Sequence, residues 1–543
     1  MLRHTKSNLS GKALFIAFIF VVLPSFLHAA VINVPDDAAT IQGGVDLAIH
    51  GDTVLVAPGI YYESGISINQ DIVVGSHFII TADTTYIDST IVDGSAHTSV
   101  FYQACTSVIA GFTIRNGRGA SGGGIENYGH SSTIAHNIIT GNIASSSQFG
   151  GGGGIALWWN SCTICNNKII DNVADGKGGG IWVNNISNGN VYIYDNIIEN
   201  NHGVFGGGGI ACMDGIDPVI EISNNVIRGN SANHFGGGIY CNNSNPVIHN
   251  NTFNNNSSVV SGASIFCTTN ANPDISNNTI EGGAGGFWHG GAIGCDIDSN
   301  PEITRNIIIN HQCISIIETA SSCVPQVRNN TFYSNSSFGE LIQINSADVI
   351  IENNIFMSNG GIVISSSDPN LAIGYNDFYD QPEPLFSGST PPGIGVLSQV
   401  NTNSDSCDVY YNIFMDPLFA DTLNMDFNLT GTSPCIDAGD PVSPYDPDGT
   451  IADMGAFYFH QTTALDPPRN VTIEISAGEV TLSWDAVAGA NSYKVYSSED
   501  PYTGFVEDSS GSFDEESWSA PIGDEKKFYH VIASTEVVRL LFE

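Results

Sequence analysis

Residues 207–230 read GGGIACMDGIDPVIEISNNVIRGN, and residues 236–256 read GGGIYCNNSNPVIHNNTFNNN. Each stretch contains a glycine run that ends in isoleucine, a short alternating segment, two adjacent asparagines and a further asparagine. Variants of this pattern recur from about Gly122 to Gly361. Self-similarity of this kind is the mark of a repeat architecture, so the repeat decides the fold.

The repeats are short and vary in length. Aligned on the second asparagine, successive copies lie 22 to 30 residues apart at Asn137, Asn167, Asn196, Asn225, Asn251, Asn278, Asn306, Asn330, Asn354 and Asn376. Such a period, broken by glycine and asparagine, is typical of a solenoid whose single repeats cannot bury a core alone. Runs such as Gly150 to Gly154 are unfavourable in helices. The sequence therefore predicts a coil of parallel β-strands.

Equivalent residues of such a coil stack in columns, because strands of successive turns pair about 4.8 Å apart. Two positions spaced by two face the core together, as in Ile210 with Cys212, Ile239 with Cys241, Ile265 with Cys267, and Ile293 with Cys295. We predict an internal stack of four free thiols, since in-register neighbours have parallel Cβ vectors that suit a disulfide poorly. Cys162 and Cys165 are interpreted as strand residues. Five further cysteines leave a bridge or two open: Cys105, Cys313, Cys323, Cys407 and Cys435.

The repeated asparagine needs a physical reason. Asparagine tolerates left-handed backbone geometry, and its amide can bond to a stacked neighbour. We therefore expect one asparagine per turn to serve both the corner and a ladder of amides. The repeats resemble right-handed parallel β-helix proteins of the pectin-lyase-like superfamily over about residues 31–460. The resemblance implies an all-β fold, a right-handed parallel β-helix, but leaves activity open, because that superfamily includes lyases, hydrolases, esterases and adhesins.

The two ends of the chain have other patterns. Basic residues precede an apolar run from Ala13 to Phe26, which predicts a signal peptide over residues 1–30 and a secreted or cell-surface protein. A membrane anchor is the alternative, although the run is short for a span. Thr40 is expected to cap a short helix that plugs the first turn, with Ile41, Val45, Leu47 and Ala48 on it. Residues 461–543 resemble a fibronectin type III domain, a small β-sandwich with Trp484 and Tyr529 in its core, and are interpreted as a spacer.

Charge limits the partners. Fifteen Lys and Arg stand against 55 Asp and Glu, giving a formal net charge of −40. This argues against nucleic acid and anionic membranes, and a polyuronate ligand would need bridging cations. Four aspartates near the end of the coil are candidate calcium ligands, with turn formation as the alternative: Asp440, Asp446, Asp448 and Asp453. We expect a monomer with no cofactor other than calcium.

Aromatic residues at outward positions indicate a glycan-binding face, because sugar C–H faces stack on rings and hydroxyl groups need polar neighbours such as asparagine. The candidates are Trp158, Trp182, Tyr240, Phe266, Phe205 and Phe235. The alternative is that these rings only cover neighbouring loops. The expected partner is an extracellular polysaccharide or a cell-surface glycan.

No complete catalytic set is evident in the sequence. A lyase needs a strong base, and the few candidates include Lys177 and Arg228. A hydrolase needs converging carboxylates, for which Asp296, Asp298, His289 and Asp214 are the candidates. Asp214 and Asp296 lie three repeats apart, which is too far for one pair, whereas Asp296 and Asp298 belong to one repeat and could work together, with His289 just before the same strand. Our leading hypothesis is therefore glycan binding or adhesion, and the alternative is a polysaccharide lyase or glycoside hydrolase with a divergent site.

Overall fold

The computed structural model describes residues 29–128, 131–146, 151–159, 161–184, 186, 189–215, 219–285, 291–320, 322–345, 348–367, 371–461, 468–476, 478–487, 490–498, 505–514, 516–522 and 527–534. The predicted signal peptide and His289 therefore lie outside the described residues, apart from Ala29 and Ala30. The chain divides between Phe459 and His460 into two compact units. Among the helices described, none is long and apolar enough to span a membrane.

The first unit is a right-handed parallel β-helix of about 13 turns, as predicted. One turn runs from Ile181–Asn184 through Val191–Tyr194 and Ile197–Glu199 to His202–Gly203, and Ile210–Gly215 begins the next. Successive turns pair in register, so the four segments of a turn belong to four parallel sheets, here called C, A, B and D in that order.

Sheets A and B form two long walls of the solenoid. The described strands of sheet A are Val31–Val34, Thr53–Val56, Val73–Ser76, Val108–Ala110, Ser132–Ala135, Cys162–Cys165, Val191–Tyr194, Ile220–Ser223, Val247–His249, Asp274–Ser276, Glu302–Thr304, Gln326–Arg328, Ile350–Glu352 and Ala372–Gly374. Those of sheet B are Gly59–Tyr61, Thr90–Asp93, Thr113–Arg115, Ile138–Thr140, Lys168–Ile170, Ile197–Glu199, Val226–Arg228, Thr252–Asn254, Thr279–Glu281, Ile307–Ile309, Thr331–Tyr333, Ile355–Met357 and Asp377–Tyr379.

Sheet C forms the third long wall, and sheet D is a short corner. The described strands of sheet C are Ile66–Ile68, Phe101–Gln103, Ile125–Asn127, Ile155–Trp158, Ile181–Asn184, Ile210–Gly215, Ile239–Ser244, Ile265–Thr268, Ile293–Cys295, Ile317–Thr319, Ser336–Ile344, Gly360–Ser366 and Phe386–Gly388, with Gln312–Cys313 paired beside Ser336–Ile344. Those of sheet D are Arg118–Gly119, Ile143–Ala144, Val173–Ala174, His202–Gly203, Ser231–Ala232 and Ser257–Ser258.

Columns of apolar side chains fill the interior. In sheet C the predicted isoleucine column and the predicted cysteine column are both fully in register and buried. Val183 pairs with Cys212, and the column continues through Cys241 and Cys267 to Cys295. All eleven cysteines are free thiols, so the predicted thiol stack is confirmed. Burial raises the pKa of Cys212 well above its ordinary value, which keeps the thiol protonated and unreactive.

A ladder of buried asparagines joins the turns between sheets A and B. In each link the backbone N–H and the Nδ2 of one asparagine donate to Oδ1 of the next; for Asn196 and Asn225 both distances are 3.0 Å. Nδ2 of Asn196 also donates to the carbonyl of Ile164 at 2.9 Å. The predicted ladder is confirmed and extends past the predicted set to Asn412.

The expectation that the ladder asparagine also makes the corner is wrong. The left-handed residue is the one before it, with φ between 53° and 58° at His136, Asn166, Asp195, Asn224, Asn250, Asn277, Arg305, Asn329, Asn353 and Tyr375. Two functions are thus divided between two consecutive residues. The corner residue is not restricted to asparagine, whereas the buried amide is repeated without exception from Asn137 to Asn376.

A second ladder runs between sheets B and D, from Asn142 to Asn256. In the next turn Gly283 occupies the ladder position and has no side-chain amide. In the turn after that, the ladder position is occupied by His311. The buried His311 ring replaces the amide: its Nε2 lies 3.3 Å from the carbonyl of Ile280, and its backbone N–H donates to Asn335. Burial lowers the pKa of His311 to about 4, so the ring is neutral and Nε2 is assigned as the donor.

The helix Ile41–Leu47 closes the first turn, as predicted. Thr40 Oγ1 accepts from the Gly43 N–H at 3.0 Å, and the Glu63 carboxylate accepts from two further N–H groups of the first turn of the helix. Ile41, Val45 and Ala48 are buried, but Leu47 is exposed and does not join the plug. Two short helices, Phe78–Thr81 and Thr85–Ser89, lie beside the early turns.

After the last complete turn the chain folds back over the outer face of sheet B. The segment contains Gln399–Val400, Ser406–Cys407, Phe419–Asp421, Thr422–Asn424 (a 3₁₀ turn) and Asp426–Leu429. Phe427 and Ala456 pack on Ile307 and Ile309, and the Ala456 N–H donates to Thr331 Oγ1 at 3.0 Å. This segment therefore covers the later turns of the wall that sheet B would otherwise expose.

Buried aspartates hold this segment in place. Asp453 accepts from the backbone N–H groups of Asp437 at 2.7 Å and Phe459 at 2.6 Å. Asp446 accepts from the Asp453 N–H at 2.8 Å. Burial raises the pKa of Asp453 to about 7 in spite of these bonds, and the nearby charges of Asp446 and Asp437 add to the effect.

The second unit is a small antiparallel β-sandwich. One sheet contains Thr472–Ser476, Glu479–Ser483, Ser517–Pro521 and Ser512–Asp514, and the other contains Val506–Glu507, Ser492–Ser498 and Phe528–Ser534. Trp484 is buried between them, as predicted, and Tyr529 packs at the edge of this core. Trp518, which the sequence analysis did not select, is its most fully buried ring.

The asparagine ladder predicts a large cost for a small deletion. Asn225→Ala removes the acceptor of two Asn196 N–H donors inside the solenoid, and should lower the free energy of unfolding by roughly 2–4 kcal/mol. Chemical denaturation would measure this. Thr252→Ala, on the exposed face of sheet B, is the control and should change stability by no more than about 0.5 kcal/mol. Equal effects of the two substitutions would contradict the assigned role of the ladder.

The raised pKa of Asp453 predicts that the folded-back segment is more stable in acid. A carboxyl group with a folded-state pKa above its unfolded value binds more protons when folded, so stability falls as pH rises from about 4 to about 7. One proton changes the free energy by at most about 1.4 kcal/mol per pH unit. Hydrogen exchange of residues 417–459 at pH 4.5, 6 and 8 measures the slope. Asp453→Asn should flatten this slope relative to the unmodified chain, and identical slopes would refute the assignment.

Candidate functional site

The outer face of sheet C carries two groups of aromatic side chains, which Ala211 and Met213 join into one apolar cluster. They stand at alternate positions to the core isoleucines or in the segments that precede the glycine runs. We call this set the aromatic strip, and it consists of Tyr128, Trp158, Trp159, Trp182, Phe205, His234, Phe235, Tyr240 and Phe266. Register places its strands in five consecutive steps from Ile125–Asn127 to Ile265–Thr268, a length of about 24 Å along the solenoid.

Three rings form the first end of the strip. Tyr128 and Trp158 stack with centroids 6.1 Å apart and planes 9° apart, and Trp159 lies 5.1 Å from Trp158. Trp158 also meets the edge of Trp182 at 4.5 Å. Trp159 has a left-handed backbone at φ 64° and is 44% exposed, so the corner after the strand turns a large ring toward solvent. For a bulky residue that conformation is unusual, and such strain concentrates at binding sites.

A buried carboxylate fixes Tyr128. Glu126 Oε2 accepts from the Tyr128 hydroxyl at 2.9 Å, while Oε1 accepts from the Gly122 N–H at 3.1 Å and the Ser99 hydroxyl at 3.1 Å. Burial, and then the charge of Glu126, raises the pKa of Tyr128 and keeps its proton in place. Glu126 is thus a positioning residue for the ring on which Trp158 stacks.

The second end of the strip is built from the segments before two glycine runs. Phe205 and His234 stack at 5.5 Å with planes 13° apart, and Phe235 stacks on Phe266 at 4.5 Å. Phe205 is 42% exposed, and His234 is exposed beside it. The rings follow one another because each belongs to an equivalent segment of a successive turn.

The structure divides the six predicted rings into two groups. Trp182, Tyr240 and Phe266 are nearly fully buried, so they form a floor and offer no free ring face. Phe205 is exposed, and Trp158 and Phe235 are half-buried. Of the six predicted rings, only these last three present an appreciable surface to solvent. Trp159, Tyr128 and His234, which the sequence analysis did not select, are exposed or half-buried on the same wall. The adjacent pair Trp158 and Trp159 could have indicated the additional ring from the sequence. Successive residues of a strand point to opposite faces, so a second indole directly after Trp158 needs a separate position.

Polar groups border the second end of the strip. Asn242 Nδ2 donates to the Tyr240 hydroxyl at 3.1 Å, and Asn243 Nδ2 donates to Asp214 at 2.9 Å. The ammonium nitrogen of Lys177 lies 5.7 Å from the centroid of the Tyr240 ring. Burial lowers the pKa of Lys177, although the charge of Asp214 opposes this shift. Amide, carboxylate and ammonium groups therefore surround one ring.

Two indole N–H groups within the strip lack an acceptor. The Nε1 atoms of Trp158 and Trp182 are both buried, and no described side chain or backbone group accepts from either. A buried donor without a partner costs free energy, and both indole N–H groups lie too deep for a ligand to reach.

Of the predicted catalytic residues, Asp214 does not converge with Asp296 in the described structure. Asp214 occupies a left-handed corner and is exposed, Asp296 is half-buried, and Asp298 is exposed at another left-handed corner. Sheet C places three turns between Asp214 and Asp296, or about 14 Å. One acid–base pair needs a shorter separation. His289 lies outside the described residues.

The four predicted calcium ligands serve other partners. Asp453 and Asp446 accept from backbone N–H groups, and Asp448 accepts from the Thr450 hydroxyl at 2.8 Å. Asp440 accepts from the Val442 N–H at 3.0 Å in a local turn. Across the described residues, no group of three or more His, Cys, Asp or Glu side chains is arranged to hold a metal ion. The calcium hypothesis therefore has no coordination group at these aspartates.

Comparison with known proteins agrees with the geometry of the first unit. A search of curated protein sequences gives no match. Residues 219–292 and 236–378 match the family model described as "Right handed beta helix region". The matched residues include the later strands of the aromatic strip and the middle of the asparagine ladder, so this part of the chain is similar to right-handed β-helix proteins in sequence as well as in architecture.

Proposed function

We propose that this protein binds a glycan chain outside the cell through the aromatic strip. The observation that carries the proposal is the pairing of exposed rings, Trp159 and Phe205, with a polar border at Asn242, Asn243 and Asp214. Rings stack on the apolar faces of sugars, and amides and carboxylates bond to their hydroxyl groups. A right-handed β-helix is consistent with a carbohydrate-binding or carbohydrate-active protein.

The shape of the strip supports a polymer as the ligand. Its two exposed ends are separated along the axis of a shallow, nearly flat wall, whereas a small molecule is usually held in an enclosed pocket. A chain of several sugar residues lying along sheet C would contact Trp159 at one end and Phe205 at the other. Binding to an extracellular glycan in this way would be an adhesive function, or would keep the protein at the glycan-covered surface. Neither function needs a chemical step.

Substitution of the exposed rings tests this proposal. Trp159→Ala and Phe205→Ala should each weaken binding to the recognised polysaccharide about 3- to 10-fold, the usual value of one aromatic stacking contact. Affinity electrophoresis and calorimetry against neutral, amino and acidic polysaccharides would identify the ligand and measure the loss. Trp182 and Tyr240 are unsuitable, because they are buried and their loss would disturb folding.

Tyr62→Ala is the matched control, since this ring is 71% exposed and lies outside the strip. It should leave binding unchanged. Binding that survives both Trp159→Ala and Phe205→Ala would locate the glycan elsewhere, and the absence of binding to every polymer would refute the proposed function.

A second candidate function is a polysaccharide lyase, favoured by Lys177 alone. Burial lowers the pKa of this amine, which increases the fraction of the neutral form that can act as a base. Its position over Tyr240 places it on the same face as the proposed glycan. A lyase of this kind would abstract the C5 proton beside a uronate carboxyl group; the C4–O4 glycosidic bond breaks as the C4=C5 double bond forms, and the departing oxygen takes up a proton from water.

Product analysis separates binding from catalysis. If the protein is a lyase, incubation with polyuronates should produce ultraviolet absorbance from unsaturated uronides, and Lys177→Met should reduce the rate by at least about 100-fold. Lys168→Met changes an exposed lysine on sheet B and should have no effect. A rate that Lys177→Met does not change would exclude Lys177 as the base, and no absorbance with any polymer would exclude the lyase.

A further inference from the structure

We infer that the glycan bound by the aromatic strip carries free amino groups, as in polymers of β-linked glucosamine, so that its ammonium groups meet Asp214 and Asp296. This inference rests on the proposed function, because it assigns a ligand class to the same surface. It concerns the charge of the ligand, which the aromatic rings alone do not determine.

Asp214 is joined to the strip through hydrogen bonds. Its Oδ1 accepts from Asn243, and the neighbouring Asn242 donates to the Tyr240 hydroxyl. The structure gives no hydrogen-bonding partner to its other oxygen within the described part of the chain. An exposed carboxylate with a free oxygen beside an aromatic floor is a site for an ammonium group.

Asp296 is a second carboxylate on the same wall, three turns from Asp214. It follows Cys295, which is in register with Cys267 and Cys241, so it stands in the same outward column as Asn242. Asp296 is therefore about 10 Å from Asn242 and about 14 Å from Asp214 along the axis. Its Oδ1 accepts from the Ile297 N–H at 2.8 Å. The charges of both carboxylates reach Tyr240, since after burial they help to raise the pKa of its hydroxyl.

The Tyr240 ring already accommodates a cation. The Lys177 ammonium group lies 5.7 Å from its centroid, within the distance at which a ring face attracts positive charge. Because Lys177 itself covers this ring face, the ligand's ammonium groups are assigned to the carboxylates and not to the ring. Two carboxylates near this ring outnumber the one lysine, which leaves the second end of the strip negative.

The whole chain strengthens this local preference. With 55 acidic and 15 basic side chains, the protein repels polyuronates and sulfated polymers and attracts polycations at long range. A polyuronate bound along the strip would place carboxylates against Asp214 and Asp296, and the described residues contain no metal-binding cluster to bridge them. A neutral glycan has no repulsion to overcome, but it also gains nothing from these charges.

Four oligosaccharides with one shared backbone test the inference. Cellohexaose is neutral, chitin hexaose carries acetamido groups, chitosan hexaose carries amino groups, and cellulose hexamers oxidised at C6 carry carboxylates. Calorimetry with the full chain at pH 6 and low salt should give at least about tenfold tighter binding of chitosan hexaose than of cellohexaose. The difference should shrink as salt is added. The oxidised hexamer should bind most weakly.

Charge-neutral variants attribute the preference to the site. Asp214→Asn with Asp296→Asn should bring the ratio of chitosan-hexaose affinity to cellohexaose affinity close to one, because the two charges that would bind ammonium groups are gone. Thermal unfolding followed by circular dichroism checks that the variant is folded. The control, Asp274→Asn with Glu302→Gln, removes the same charge from the outer face of sheet A and should preserve the ratio. If the ratio of chitosan-hexaose affinity to cellohexaose affinity changes equally in both double variants, the preference comes from net charge. That result would refute the site at Asp214 and Asp296.

The remaining outcomes separate the two proposals. Equal or tighter binding of cellohexaose or of the oxidised hexamer, with loss on Trp159→Ala, overturns the amino-glycan inference and supports glycan binding. If chitosan hexaose does not bind while another polymer binds through Trp159 and Phe205, the amino-glycan inference is likewise refuted and glycan binding is supported. Failure of every polymer overturns both proposals.

Discussion

The hydrogen bond from one buried asparagine amide to the next is the constraint on which the solenoid depends. The repeats differ in length by up to eight residues, yet the amides stack at constant distances of 2.9 to 3.1 Å from Asn137 to Asn376. Each amide also donates to carbonyl groups of the corner, so both donors and the acceptor are used inside a fully buried core. Length variation is thereby confined to the loops, and the strands stay in register.

That register produces the candidate site. If a strand slipped by one residue, its core side chains would point to solvent and its outward side chains would point to the core. The fixed position of the buried amide in each turn prevents such a slip and keeps every outward column in place. The glycine runs matter for the same reason. A β-carbon at Gly208 would meet the Gly237 carbonyl at 2.5 Å, so these segments approach each other too closely for any side chain. Their narrowness lets the preceding rings, Phe205 and Phe235, fold toward sheet C and stack on the strip.

Patterns that repeat were predictable from the sequence, and features that occur once were not. The isoleucine and cysteine columns and the amide ladder follow from spacing alone, because register converts spacing directly into contact. The assignment of the left-handed corner to the ladder residue was wrong, since the sequence gives two adjacent asparagines in many repeats and geometry decides which one bends. The burial of Trp182 depends on how its neighbours cover it, and the exposure of Trp159 depends on a single strained corner. Neither depends on the repeat.

The division between a repeated core and a variable surface also limits what kind of chemistry this wall can perform. Outward columns place equivalent side chains about 4.8 Å apart, which suits a polymer contacted over many turns. A catalytic pair instead needs two different groups brought together at one point, and on a straight wall this requires a loop that departs from the repeat. Among the described residues, Trp159 and Asn243 depart from the repeat on sheet C and add a ring and an amide, and no second acid stands beside Asp214. The extended contact that we propose with a glycan chain would use the repeated spacing of this wall.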